Sequence, residues 1–285
     1  GAVIGGAMFG DNLSIISDTT IAATRTQGAQ MRDKFRENFR IAVPAALATL
    51  ALLLFLGDPA PVETASAASP WLVLPYLAVL ALAVAGMDVL LVLSFGVVMA
   101  GVFGFAFGDG YDGVSYVGDI WMGFESMVEI LLLSLLIGGL GALMKAAGGL
   151  DWMAQAISRF ARGHRGRRTG EFSIAALSAT TDAFTANNTV AILISGSVAR
   201  DIAARHGISA RRSASLLDVF ACVVQGVLPY GAQILLASSL AAVSPLALAG
   251  KIHYCWILAV VAVGFILWPQ RSQALPAAAP GTRAE

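Results

Sequence analysis

Residues 10–20 read GDNLSIISDTT, and an apolar run stands on either side, AVIGGAMF before and IAA after. Six of these eleven residues carry a hydroxyl or a carboxyl: Asp11, Ser14, Ser17, Asp18, Thr19 and Thr20. A lipid-facing helix does not tolerate that composition. A polar interruption inside a membrane helix does, because unwound backbone and short polar side chains can surround an ion there. The competing reading is a polar surface loop between two apolar elements. The rest of the chain decides between the two.

Of 285 residues, 57% are hydrophobic and 13% charged, with a mean hydropathy of +0.76. Soluble domains carry roughly 25% charged residues. The apolar residues also form long runs, so the expected fold class is an all-α polytopic membrane protein. Net charge is zero, which points to no acidic, basic or nucleic-acid partner; the bilayer is the expected one, and a homodimer is compatible with such a scaffold. Cys222 and Cys255 lie in apolar segments and read as packing residues. The chain opens at Gly1 inside an apolar run, without Met, so an N-terminal part is expected to be missing.

Residues 27–40 are basic and helical in period, as an interfacial connecting helix would be. Spans are expected at 41–57, 71–86, 89–107, 126–147 and 254–268. An acidic Pro/Ala/Ser linker at 58–70 separates two halves, a Gly/Asp-rich loop fills 108–124, and a disordered Pro/Ala-rich tail occupies 269–285. Residues 172–198 are apolar but broken by TTDAFTANNT at 180–189, and 213–242 are broken around Pro229, Gly231 and Gln233. Basic residues cluster at 25–40, 159–168 and 200–212, whereas 58–70 and 108–119 have none. By the positive-inside rule the basic clusters face the cytoplasm, which makes 172–198 a re-entrant hairpin and 213–242 a broken crossing helix. The protein is thus expected to be multi-pass in the cytoplasmic (inner) membrane.

An offset of 212 lays residues 16–19 on 228–231 and the span at 41–57 on 253–269. One connecting linker is cytoplasmic and the other external, so the halves, 1–57 and 71–268, form an inverted repeat, an arrangement typical of secondary transporters. Extended to residue 71, the same offset places about 140 residues of the first repeat before Gly1.

The chemistry available is that of oxygen ligands: carboxylates, hydroxyls, amides and freed carbonyls, with no thiolate cluster or paired His. That set suits a hard cation such as sodium. A desolvated Asp deprived of its partner takes up a proton, so one carboxylate accepting sodium or a proton, never both, is the minimal device for antiport. Asp18 and Asp182 are the first candidates and Asp11 the next. Asp182 reads alternatively as a hairpin cap and Asp11 as a helix cap. Asp218 and Glu129 are secondary carboxylates; Asp218 could instead pair with Arg211 or Arg212, and Glu129 could reach the interface. Pro229, Gly231 and Gln233 mark the second break. No nucleophile–base pair or metal set suggests an enzyme, and no cofactor beyond the transported ions is implied.

FGDNLSIISDTT at 9–20 resembles the FGD…SPLSDTT signature of the NhaC-type sodium/proton antiporters, in the wider ion transporter superfamily. GFESMVEILLLSLLIGGLGALMKAAGG, TTDAFTANNT and SASLLDVFACVVQGVLPYGAQ are similar to its second-half segments. The resemblance implies inverted repeats, paired hairpins, broken helices and exchange of sodium for protons, or exchange coupled to organic acids. Carried over, Asp11, Ser14, Ser17, Asp18, Thr19 and Thr20 match the first signature, and Asn187, Asn188 and Thr189 match a hairpin-tip pattern; Thr185 lies in the same tip. Ile15 stands where Pro is usual, and the first hairpin is absent. Exchange of a small organic acid or amino acid is the other transport reading, and basic residues lining the midplane would favour it. An inactive fragment or membrane scaffold is the third.

Overall fold

Among the described residues helices follow one another and there is no strand. The computed structural model describes residues 1–14, 17–56, 70–85, 87–108, 110–163 and 166–268. The linker expected at 58–70 and the tail at 269–285 therefore lie almost wholly outside the described residues. The chain forms two compact units, residues 57–129 and the remainder, with the boundary inside one long helix.

In the smaller unit, a 3-10 turn at Pro70–Val73 leads into α4 (Leu74–Val84), which packs on α5 (Val89–Phe107). Asp88 caps α5, its Oδ1 accepting from Leu90 N at 2.9 Å, so the turn falls where the sequence places it. α6 runs over Gly113–Ala146. Residues 113–124 are thus helical, not the tail of a loop, because Asp112 stands ahead of the first turn and accepts from Ser115 N and Ser115 Oγ, both at 2.8 Å. Those bonds hold the exposed Asp112 carboxyl below its ordinary range. Glu129 lies in α6, but its side chain is outside the described residues.

The larger unit is built around two broken helices. α1 (Ala2–Leu13) stops at Ser14, and α2 (Asp18–Gln27) begins after the N-cap Ser17. α10 (Ala210–Gln225) and α11 (Ala232–Ala241) are separated by residues 226–231, where Pro229 lacks a donor and Gly231 is the extended N-cap. α2 and α11 are both ten residues long. Their N-caps, Ser17 (φ −68°, ψ 153°) and Gly231 (φ −71°, ψ 142°), share one backbone conformation, and each helix ends on a left-handed residue, Gly28 or Ala242.

Both pairs of caps lie 214 residues apart, and so do the starts of the next helices, α3 (Met31–Leu56) and α12 (Pro245–Gly250). α13 (His253–Leu267) ends 211 residues after α3. The element ends therefore correspond at 214 up to α12 and at 211 after it, the register slipping at 251–252, where α12 has ended and α3 runs on; a single ungapped offset of 212 lies between the two. Packing follows the same exchange: α1 lies on α3 and α13, and α10 lies on α13 and α3.

α3 also unites two segments that the sequence separates. The charged stretch to Arg40 and the apolar span after it form one continuous helix through Pro44. Its buried residues, Lys34, Glu37, Asn38, Ile41, Ala42, Ala45 and Thr49, keep a helical period from the charged end to the apolar one. Leu47, Leu50, Leu54 and Phe55 are exposed. Small residues inside and large apolar ones outside are what lipid contact selects.

α7 (Gly149–Gly163) turns Leu150, Ala154 and Ala161 inward and packs on α8 (Arg167–Thr185) and α9 (Asn188–Arg205). α8 and α9 pack on each other as a helical hairpin, with a two-residue tip of left-handed Ala186 and the N-cap Asn187. α9 continues to Arg205 and α10 starts at Ala210, so the basic stretch 200–212 is mostly helix, and Arg212 is buried. α9 presses on α2 at Gly196, where an added Cβ would come within 2.5 Å of Thr26 Cβ.

Candidate ion-exchange site

The first break is closed by its own hydroxyls. Ser17 Oγ accepts from Thr20 N at 3.4 Å, the usual work of an N-cap. Thr20 Oγ1 donates to Ser14 O at 2.8 Å across the break, and accepts from Ser17 Oγ at 3.0 Å. Ser17 and Thr19 also share a hydroxyl contact at 3.1 Å. Asp18, in the first turn of α2, is exposed. A carboxylate there complements the helix N-terminus.

Beneath the break lies a pair of charges that the sequence reading misplaces. Lys34, on α3, is fully buried with Nζ 2.6 Å from Thr20 Oγ1 and 2.8 Å from Asp218 Oδ2. Asp218 is therefore bound to Lys34, not to Arg211 or Arg212. Asn38 Nδ2 donates to the same Asp218 oxygen at 2.7 Å and to Asn12 O at 2.8 Å. Asn12 Nδ2 donates to Met8 O at 2.9 Å and to Tyr254 OH at 3.3 Å. These bonds fix both amides, and leave Asn12 Oδ1, Asn38 Oδ1 and Asp218 Oδ1 buried without a donor among the described residues. Extending the buried period of Ile41, Ala42 and Ala45 back along α3 leads to Lys34 and Asn38; that is the signal that finds them.

Asp11, in the last turn of α1, is half-buried and faces the hairpin tip. Its Oδ2 accepts from Asn188 Nδ2 and from Cys222 Sγ, each at 3.4 Å. The structure thus joins the first break, the tip and α10 at one carboxylate. Asn187 Oδ1 caps α9 by accepting from Val190 N at 3.0 Å, and Asn188 Oδ1 accepts from Thr189 N at 2.9 Å.

Asp182 is also buried in α8, yet neither carboxylate oxygen has a hydrogen-bond partner among the described residues. It is not the cap of the tip, which Asn187 supplies. Thr185 Oγ1 bonds back to Thr181 O at 2.9 Å, keeping α8 helical almost to its end. Tyr230 OH donates to Ala183 O and ties the second break to the hairpin. Gln225 Nε2 donates to Gln233 Oε1 at 2.6 Å across that break. A cavity of about 370 Å³ opens beside the tip, lined by Gly141 and Lys145 of α6 with Thr185, Asn187 and Tyr230. No group of three or more His, Cys, Asp or Glu side chains among the described residues could hold a metal. The oxygens available suit a loosely held alkali cation as cargo.

No solved structure matches this chain. One curated relative, the Na(+)/H(+) antiporter NhaC of Bacillus subtilis (strain 168), is 32% identical over 117 residues, covering 36% of this chain. The match spans 26% of that relative's own length. The family model described as the Na+/H+ antiporter family matches residues 6–268. On that match, which takes in both broken helices and the hairpin, the chain belongs to the Na+/H+ antiporter family.

Proposed function

We propose that this chain exchanges sodium for protons across the cytoplasmic membrane, with Asp11 as the exchanging carboxylate. The observation that carries this reading is the junction at Asp11. It is the carboxylate at which two interrupted elements and α10 meet, and its contacts with Asn188 and Cys222 are long ones, at 3.4 Å, that a cation or a proton can displace. Ser17 and Asn188 stand beside it as an uncharged hydroxyl and amide. Sodium and protons are the transported species, and no cofactor takes part.

Exchange of a small carboxylate would need an unpaired cation at the site. Lys34 is buried there but bonded to Asp218, so Lys34 does not favour that reading. The test is reconstitution in liposomes carrying a pH-sensitive dye. A sodium gradient drives proton movement in the opposite direction, and choline does not. Correctly inserted protein that moves no protons under a sodium gradient would overturn the reading.

The hairpin of α8 and α9 is proposed to be re-entrant, with both ends cytoplasmic. Arg167 and Arg168 flank one arm and Arg200 and Arg205 the other. The lengths free of Lys and Arg from 172 to the tip and from the tip to 198 reach only about 21 and 17 Å at helical rise, against a hydrocarbon core of about 30 Å. Cysteines placed at 168 and 205 should label from the same side. Labelling from opposite sides would mean that the segment crosses.

A further inference from the structure

The cluster under the first break contains three formal charges, those of Asp11, Asp218 and Lys34. Lys34 and Asp218 are each at 0% exposure and 2.8 Å apart. Both ends of the pair are braced: Thr20 Oγ1 takes a second ammonium hydrogen, and Asn38 supports the carboxylate oxygen that Lys34 contacts. An ammonium so placed cannot leave without stranding Asp218 in a buried site.

The other groups that face the pair are few. On its own helix Glu37 lies one turn on, but it is paired with Arg40 and Arg212. From α1 comes Asp11, from α10 Cys222, and from α13 Tyr254 through Asn12. α2 contributes Thr20, while its Asp18 and Arg25 are exposed. With Lys34 cancelling Asp218, the cluster is left with one unit of negative charge, on Asp11. Three buried oxygens of the cluster lack donors among the described residues: those of Asn12, Asn38 and Asp218. Such a set is completed by water or by a cation.

We propose that Lys34 is a resident counter-cation, a positioning residue that cancels Asp218 throughout the cycle and leaves Asp11 as the single exchangeable charge, so that this cluster takes one monovalent cation, sodium or a proton, at a time. The proposal rests on the antiport reading for its meaning, but it can be tested by equilibrium binding alone.

The experiment is binding of radioactive sodium to the purified protein in detergent, for four proteins. Wild type binds sodium. Asp218→Asn keeps Lys34 charged, so the cluster is neutral with Asp11 ionised, and sodium affinity falls by at least about tenfold. Lys34→Gln leaves two uncompensated carboxylates, and the amount of sodium bound per protein at high pH rises. The double variant Lys34→Gln/Asp218→Asn restores one negative charge, and its affinity returns to within about threefold of wild type. A purely architectural pair gives the opposite ranking, with the double variant no better than Asp218→Asn, and that result overturns the proposal. If a single variant fails to fold, folded double variant against wild type still decides, because loss of sodium binding there refutes the charge count. Sodium binding without proton release in liposomes would instead sink the antiport reading and leave the count standing. Wild type that binds no sodium overturns both.

Discussion

Asp11→Asn should insert and fold as wild type does, and lose at least about 100-fold in sodium-driven proton release at every external pH. The amide matches the carboxylate in size and can still meet Asn188 and Cys222, so the loss reports charge and proton exchange rather than packing. Asp18→Asn should stay within about threefold of wild type, since an exposed residue in the first turn of α2 contributes mainly to the helix end. Both variants are measured in the dye-loaded liposomes, with protein incorporation quantified. An inactive Asp18→Asn beside an active Asp11→Asn would return the exchange role to Asp18, the residue that sequence reasoning ranks first.

A large effect on stability is expected at Arg212. Its guanidinium is 1% exposed, with Nη2 2.9 Å from Glu171 Oε2 and Nη1 3.6 Å from Glu37 Oε1, and it lies over the ring of Phe265 at 4.8 Å. One side chain thus links α3, α8, α10 and α13. Arg212→Met fills similar volume but takes the buried cation from Glu171 and Glu37, leaving them only the more exposed Arg167 and Arg40, at a cost of up to about 3–5 kcal/mol. Arg167 also binds Glu171, at 2.8 Å, but is 30% exposed, so Arg167→Ala should cost less than about 1 kcal/mol. Thermal unfolding in detergent compares them. Equal melting temperatures for Arg212→Met and wild type would show that the cluster contributes nothing. Restoring part of the loss with Arg212→Met/Glu171→Gln would locate it in the uncompensated charge.

The breaks were legible where composition and backbone agree. Ser17 before Asp18, and Pro229 with Gly231, are local signals that stop or start a helix whatever packs around them. The hairpin shows the limit of composition. Ten polar-rich residues at 180–189 read as one long interruption, yet only the two tip residues leave the helix, because Thr181 and Thr185 return their hydroxyls to carbonyls one turn back. Charge misled further. Lys34 and Arg212 sit in strongly basic stretches and look solvated, and what buries them is carried by other helices far along the chain. The site was half legible for the same reason: Asp11 and Asn188 stand out as polar groups in apolar surroundings, whereas the choice between Asp11 and Asp18 depends on which side of a four-residue break faces the bundle.

The slip of register at 251–252 has a chemical side. At the offset of 214 that relates α3 to α12, Lys34 corresponds to Leu248, a buried apolar residue. The two segments therefore correspond in their element ends and differ in what they bury: one places an ammonium where the other places hydrocarbon. The ammonium comes from α3 and the carboxylate that holds it, Asp218, from α10, so the charged pair ties the two segments together at the site itself.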